Sequence, residues 1–305
     1  MKKKILILAG GFSREREISL KTAKGVFNQI KRKYYVKICE PNGDLIRNLR
    51  SFKPDVVFNA LHGRYGEDGY VQSLLESEKI KYTHSGVLSS SIAIDKEISK
   101  NVFVKNNILT PKYFKFKFNK FIKKSELKRK IKSKLSFPVV IKPFNEGSSV
   151  EVYICSEKNL FKNLNKLSPY KEIMIEKYIP GREIQVAIMG KRKLGAIELV
   201  PKRKFYDYQA KYSSKAKTKH IMPAPITKTK YKEILFLAKK AHKVLGCRGI
   251  TRSDFKFYKN KFYLLETNTQ PGMTKLSLFP EIAKYCGISF EDLVVWIVKN
   301  ASNKR

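Results

Sequence analysis

Acidic residues are scarce in this chain: 26 Asp and Glu stand against 64 Lys and Arg, a formal charge of +38 over 305 residues. Such an excess suggests a polyanion binder. The basic residues, however, are scattered through every segment and gather into no tail, basic recognition helix or known nucleic-acid module. A lysine-rich drift over solvated faces is the simpler account. No specific nucleic-acid partner is expected, only weak attraction of polyanions and a field that favours anionic substrates such as nucleotides. Cysteine is also sparse. Cys39, Cys155, Cys247 and Cys286 lie far apart with no CxxC, which argues against disulfides and zinc and fits a reducing cytoplasm. No apolar run is long enough to span a bilayer, so no membrane partner is expected. The opening MKKKILILAGG has the look of a signal peptide, but its apolar run is short and leads into a Gly-Gly turn and the charged SREREIS. A buried strand accounts for it better.

With 42% apolar and 12% aromatic residues, the chain has the means to fold, and its length suits two or three domains. Lys4–Leu8 reads as a strand and Gly10-Gly11 as the turn after it. Ser13 is a candidate cap for a helix with Ile18, Leu20, Ala23, Val26 and Phe27 on one side. Strand, glycine turn and helix make the first unit of a parallel α/β sheet. Further strands are expected at Tyr35–Cys39 and Asp55–Ala60, and the latter runs into the Gly-rich loop LHGRYGEDGY with His62, Glu67 and Asp68. This loop is not a GxGxxG fingerprint. A helix over 95–107, a strand over 112–119, a basic helix over 120–135 and strands over 137–143, 145–155 and 172–178 make a second unit. After Pro180-Gly181 come a hairpin around Gly190, a long aperiodic stretch at 201–226, and helices at 231–245 and 290–298. A stretch as long as 201–226 is usually disordered or a functional lid, and its FYDYQAKYS aromatics argue against disorder. The division expected is 1–93, 94–179 and 180–305, within an α/β (α+β) fold class.

Near the C-terminal end, RSDFKFYKNKFYLLETNTQPGMT reads as two strands joined at Lys259-Asn260. Glu266 and Asn268, two apart, point to one face. Asp254 precedes Glu266 by twelve residues, so the two can face each other if the turn holds an odd number of residues. Three hard oxygen ligands would suit Mg²⁺, with Arg252 as a fixed cation beside them. Taken alone, an ordinary hairpin with a polar end explains the same residues. Lys142 ends an apolar strand ahead of the Gly147-Ser148-Ser149 loop, where ammonium and backbone amides could hold phosphate; a polar hairpin loop is an equal alternative, and the P-loop spacing is missing. Glu176 and Lys177 end a strand and point to opposite faces, either as a ligand-binding edge or as a surface ion pair. His62 is as well placed for acid/base work as for a structural role. His84, His220 and His242 show no ligand spacing, and no nucleophile sits in an elbow.

Together, GGFSREREIS at 10–19, LHGRYGEDG at 61–69, IKPFNEGSSV at 141–150, FYDYQAKY at 205–212, RSDF at 252–255 and LETNTQPGMTKLSLFP at 265–280 resemble the D-alanine–D-alanine ligase family of the ATP-grasp superfamily, nearly end to end. The resemblance implies a three-domain ATP-grasp architecture and a cytoplasmic, homodimeric enzyme of peptidoglycan precursor synthesis. A D-alanine carboxylate would take the γ-phosphate of ATP, and a second D-alanine would attack the acylphosphate. By position, Glu15 and His62 match residues at the first substrate. Lys96, Lys142 and Lys211 match lysines around the nucleotide; Glu176, Lys177, Tyr178 and Ile179 the edge that reads adenine; Glu183 the ribose carboxylate. Ser148 and Tyr212 match residues networked with Glu15. Arg252 and Gly272 match groups that stabilise the transferred phosphoryl and the tetrahedral intermediate, and Ser277 and Leu278 contacts to the second substrate. Asp254, Glu266 and Asn268 match ligands of two Mg²⁺ (or Mn²⁺). Glu151, Gln270 and Lys275-Leu276 depart from the pattern, without removing a metal or phosphate ligand. Tyr212 speaks against D-lactate as second substrate, the nearest alternative chemistry along with D-serine.

Overall fold

The computed structural model describes residues 2–118, 123–147, 151–201, 218–274 and 277–304. Ser148, Lys211 and Tyr212, most of the 201–226 stretch, and Lys275-Leu276 lie outside them.

The first sheet forms from β1 (Lys4–Leu8), β2 (Tyr35–Cys39) and β3 (Val56–Asn59), all parallel in the order β2-β1-β3. Its central strand is apolar on both faces because helices cover both, as a parallel sheet requires. Ile5 and Ile7 face α1 (Arg16–Ile30), while Leu6 and Leu8 pack with Leu45 and Leu49 of α2 (Leu45–Phe52). On α1, Ile18, Ala23, Val26 and Ile30 are buried, while Leu20 and Phe27 pack at the margin. Ser13 does not cap this helix, whose N-cap is Glu15. Its hydroxyl instead donates to the His62 carbonyl (2.6 Å) and accepts from Glu15 N (3.1 Å). After β3, α3 (Tyr70–Ser77), α4 (Val87–Ile94) and α5 (Lys96–Lys105) lead onward. The Asp95 carboxylate caps α5 through Glu97 N and Ile98 N, satisfying two amides that lack helical partners.

The second sheet is antiparallel, in the order β4-β7-β5-β6, from β4 (Tyr113–Lys117), β5 (Val139–Lys142), β6 (Tyr153–Cys155) and β7 (Glu172–Lys177). The helices α6 (Lys124–Lys134) and α7 (Leu160–Lys166) close its core through Leu127, Ile131, Leu160 and Leu164.

The third sheet, also antiparallel, has the order β10-β9-β8-β11-β12. Its strands are β8 (Arg182–Met189), β9 (Arg192–Val200), β10 (Lys219–Ile221), β11 (Ile250–Tyr258) and β12 (Lys261–Asn268). One face receives α8 (Lys228–Val244) through Ile234, Ala238 and Ala241. The other contributes Ala187 and Ile197 to a core shared with α9 (Leu278–Tyr285), α10 (Phe290–Lys299), α1 and β1. The two ends of the chain therefore meet in one apolar core.

The β11–β12 hairpin differs from its sequence reading in one respect. Its turn has two residues, Lys259 and Asn260, both at positive φ (45° and 61°), the geometry whose twist matches that of the strands. An even turn alone would not bring Asp254 opposite Glu266. A bulge does so: Phe255 pairs with Leu264 and Asp254 with Glu266, leaving Leu265 as the extra residue.

Candidate active site

The site lies between the second and third sheets, with the start of α5 beside them. Lys96, Lys142, Glu146, Glu176, Lys177, Tyr178, Ile179, Glu183, Asp254 and Glu266 line one cleft, together with Lys256 and the bulged Leu265. Lys142 and Glu176 come from adjacent strands of the second sheet, Asp254 and Glu266 from paired strands of the third, and Lys96 from the first turn of α5.

The hairpin side is built as a cross-strand pattern. Arg252 stands opposite Asn268 and Asp254 opposite Glu266, so all four share a face. The Arg252 guanidinium donates to both Asp254 oxygens (2.8 and 3.0 Å), and Asn268 Nδ2 reaches Asp254 Oδ2 at 3.5 Å. The donors on this face are oxygens carried by rigid strands, a set that fits a hard divalent cation and not a soft one. Lys96 Nζ donates to the Glu146 carbonyl (2.5 Å) and lies 3.8 Å from Glu266 Oε2, linking the segment after β5 to the hairpin.

On the opposite wall Glu176 is buried, whereas Lys177, pointing the other way, is exposed. The surface ion pair considered from the sequence is absent. Glu176 instead pairs with Lys142 and, at 2.6 Å, with Lys100, a lysine with no exposure at all. Burial pushes the Glu176 carboxyl up, but the charges of Lys100 and Lys142 outweigh it and hold the group below its ordinary value. Burial acts on Lys100 too and, against the pull of Glu176, lowers it to about 8. Glu183 pairs with Lys256 at 3.0 Å. The sequence reading missed Lys100 and Lys256. Lys100 lies one helical turn after Lys96, on the same face, and that spacing was the available signal.

Glu15, from the first unit, is buried and lies against Gly147, the residue after the cleft-lining Glu146. Its Oε2 lies 3.2 Å from where a Cβ on Gly63 would sit and 3.3 Å from one on Gly147, so a bulkier residue at either position would press on the carboxylate. His62 is buried nearby, with Nε2 3.2 Å from Thr22 Oγ1 and Nδ1 3.4 Å from Glu67 Oε1. Burial disfavours its imidazolium, but the hydrogen bond and charge of Glu67, with the charge of Glu15, prevail and raise His62 above its ordinary value. Glu67 is itself raised by burial. Gln270, one of the departures noted in the sequence, donates its side-chain amide to the Leu61 carbonyl. It thereby ties the end of the hairpin to the His62 loop. Ser277 is the N-cap of α9 and its Oγ accepts from Thr274 N (2.9 Å). Gly272 lies against it: a Cβ there would meet Ser277 Oγ at 2.9 Å. Leu278, the first residue of α9, is buried. Glu151, another departure, adopts a left-handed φ of 55°, accepts from Tyr153 Oη and lies 3.5 Å from Arg14.

Two antiparallel sheets that enclose a cleft lined by lysines and carboxylates from both, beside a parallel α/β unit, define an ATP-grasp ligase. Residues 41–85 match the D-ala D-ala ligase N-terminus family and residues 102–299 the D-ala D-ala ligase C-terminus family. The chain belongs to the D-alanine–D-alanine ligase family. It is 62% identical over 306 residues to the D-alanine–D-alanine ligase of Pelagibacter ubique (strain HTCC1062), covering 100% of both chains. It is 44% identical to that of Rickettsia bellii (strain OSU 85-389), covering 99% of this chain and 92% of the relative. Among solved structures it resembles the Bacillus anthracis ligase, with a TM-score of 0.85 and 32% identity over 98% of this chain and 97% of that one. The same ligase complexed with ATP gives 0.84 at the same identity and coverage.

Proposed function

We propose that the protein joins two D-alanine molecules into D-alanyl-D-alanine, with ATP as phosphoryl donor and ADP and phosphate as products, for peptidoglycan precursor synthesis. The observation that carries this reading is the single cleft with Lys96, Lys142, Glu146, Asp254 and Glu266 along it, with Glu15 against Gly147, the residue after Glu146. Family membership supports it throughout.

In this reading Glu15 holds the ammonium of the first D-alanine by a charge-assisted contact, and His62, oriented by Glu67, stands beside it. The substrate carboxylate attacks the γ-phosphorus, ADP departs, and an acylphosphate remains. Two anions meet in that step, so the site needs cations; Lys96, Lys142 and Arg252 supply them from this chain. Asp254, Glu266 and Asn268 would hold two Mg²⁺ or Mn²⁺ ions, which when bound neutralise phosphate charge. Glu176 to Ile179 read the adenine edge and Glu183 the ribose. The amine of the second D-alanine, its carboxylate held at Ser277 and Leu278, then attacks the acylphosphate carbon and phosphate leaves. The Gly272 amide and Arg252 stabilise the intermediate. Ser148, Lys211 and Tyr212 belong to the same proposal from their sequence match alone. So does the stretch 201–226 as the lid that an acylphosphate, prone to hydrolysis, requires.

We further assign the three sheets to functional units 1–93, 94–179 and 180–305, and propose a homodimer acting in the cytoplasm without a specific nucleic-acid or membrane partner. No helix among the described residues is long and apolar enough to cross a membrane. The decisive assay is phosphate release from ATP and Mg²⁺ with a panel of D-amino and D-hydroxy acids. Stimulation by D-alanine is expected, and no stimulation by any of them refutes the proposal.

A further inference from the structure

Glu176 has two lysine partners where one would balance its charge. Lys142, though buried, lines the cleft; Lys100 does not line it and has no exposure. A lysine with no exposure loses the hydration of its ammonium, and that loss is seldom met without a purpose. Lys100 is also held from three sides: Glu176 Oε1 at 2.6 Å, the Pro111 carbonyl at 3.1 Å, and the ring of Tyr113, whose centroid is 5.5 Å from Nζ. It has no room to turn toward a ligand. Lys142, by contrast, makes its ion pair with the other oxygen of Glu176 and borders open space.

We propose that Lys100 is a positioning residue for the nucleotide: it is the standing counterion of Glu176, so that Lys142 can turn to an incoming phosphate without leaving a buried carboxylate uncompensated. With Glu176 paired to Lys142 alone, every phosphate contact by Lys142 would strand an anion in the protein interior, and the ligand would have to offset that loss. With Lys100 in place, Glu176 stays neutralised whether or not the nucleotide is bound, and Lys142 is shared between the carboxylate and the phosphate. The argument rests on the proposed contact between Lys142 and the ATP phosphates.

The test compares calorimetric binding of ATP and of adenosine, which has the ring and ribose but no phosphate, by the full-length wild type, K142M, K100M and K100M/E176Q. K142M should weaken ATP by about 10-fold or more and spare adenosine. If ATP binding is unchanged in K142M, the phosphate role of Lys142 fails, and the proposal with it. Given that control, K100M should weaken ATP by at least about 10-fold with adenosine within about 2-fold of wild type. Glu176 also reads the adenine edge in the proposed function, so the double variant is judged by its ratio of ATP to adenosine affinity, in which any cost of E176Q at the ring cancels. With no buried anion to retain Lys142, that ratio should recover to within about 3-fold of wild type. Equal loss of ATP and adenosine in K100M, no loss in K100M, or a ratio in the double variant as low as in K142M would each overturn it. If K100M does not fold, the double variant, with a neutral Met–Gln pair in place of the ions, carries the comparison alone: a ratio near wild type supports the proposal, and one as low as in K142M refutes it.

Discussion

Glu15 rests against Gly147, so that a Cβ on the glycine would lie 3.3 Å from the carboxylate oxygen. The two belong to different units of the chain. The approach joins Glu15, the carboxylate proposed to hold the first D-alanine, to the start of the loop after Lys142. A G147A substitution adds one methyl at a tight contact whose neighbour is a side-chain end, so the fold should persist while Glu15 shifts by a few tenths of an ångström. The expected outcome is a KM for the first D-alanine raised by about 5-fold, the size of a modest overpacking cost, with Tm changed by less than about 2 °C. Steady-state kinetics and thermal melts check both parts.

The pairing of Asp254 with Glu266 across the bulge is the basis for a second prediction. Replacing Glu266 with Gln keeps the shape and removes the negative charge. Turnover should fall by about 100-fold or more, with circular dichroism and melting close to wild type and with a higher Mg²⁺ or Mn²⁺ concentration needed for half-maximal rate. Near-normal activity at low Mg²⁺ would show that Glu266 is not a metal ligand.

Two buried histidines give the protein an acid limit. Burial lowers His84 to about 3 and His242 to about 4. His84 packs edge-on to Phe58 (5.5 Å), and His242 Nδ1 lies 2.9 Å from Thr251 Oγ1. Unfolded, both titrate near 6.5, so below that pH the unfolded chain binds more protons than the native one and stability falls. Their contribution is complete above pH 6.5 and shrinks as pH drops toward the folded values. At pH 5 the loss is about 2 kcal/mol for each, and together they should lower Tm by roughly 10 °C relative to pH 7.5. His62, raised by Glu67 and Glu15, acts in the opposite sense, stabilising below 6.5. Melts from pH 7.5 to 5 should show the net decline, with the slope about halved in H242Q.

How far the sequence was readable depended on whether the signal was local. The β11–β12 hairpin showed in its alternation and in the acidic residues at its ends, and the first βα unit in its apolar run and paired glycines. The parity of the hairpin was misread because a bulge at Leu265 leaves no compositional mark, yet that bulge brings Asp254 opposite Glu266. The order β10-β9-β8-β11-β12 depends on long-range pairing that no window of sequence contains. Short elements such as α2 and α9 escaped because eight residues carry little periodicity, and α9 has Pro280 in its first turn. Lys100 escaped for a different reason: on a helix of so basic a chain a lysine reads as solvated, and only the fold shows it to be fully enclosed beside Glu176.

A backbone contact at the junction of the second and third sheets yields a stability prediction. Gly181 links β7 to β8 at φ +117°, and a Cβ there would come within 2.4 Å of the Phe257 carbonyl oxygen. Both facts oppose a side chain. G181A should therefore cost about 2–4 kcal/mol in urea unfolding and, because Tyr178 and Ile179 precede the turn and line the cleft, should also weaken adenosine binding. A loss of stability under about 0.5 kcal/mol would show that the link relaxes without strain.

The charge excess makes its own prediction. Its densest exposed stretch in the second unit is α6, where Lys124, Arg129, Lys130, Lys132 and Lys134 face solvent. None of them lines the cleft. Part of this charge is already engaged, since Lys132 pairs with Glu157 at 2.8 Å and Lys130 lies 4.8 Å from the centroid of the Phe114 ring. A surface of this kind neutralises phosphates through released counterions and reads no base, so its affinity for duplex DNA or RNA should fall steeply with salt, by about 10³-fold or more between 50 and 200 mM if six or more phosphates are contacted. Competing sequences should bind alike, and ligase activity at 200 mM salt should be unchanged by added DNA. Retention of tight binding at that salt, or a preference of about 10-fold for one sequence or structure, would instead establish a specific nucleic-acid partner and give the excess of lysine a function of its own.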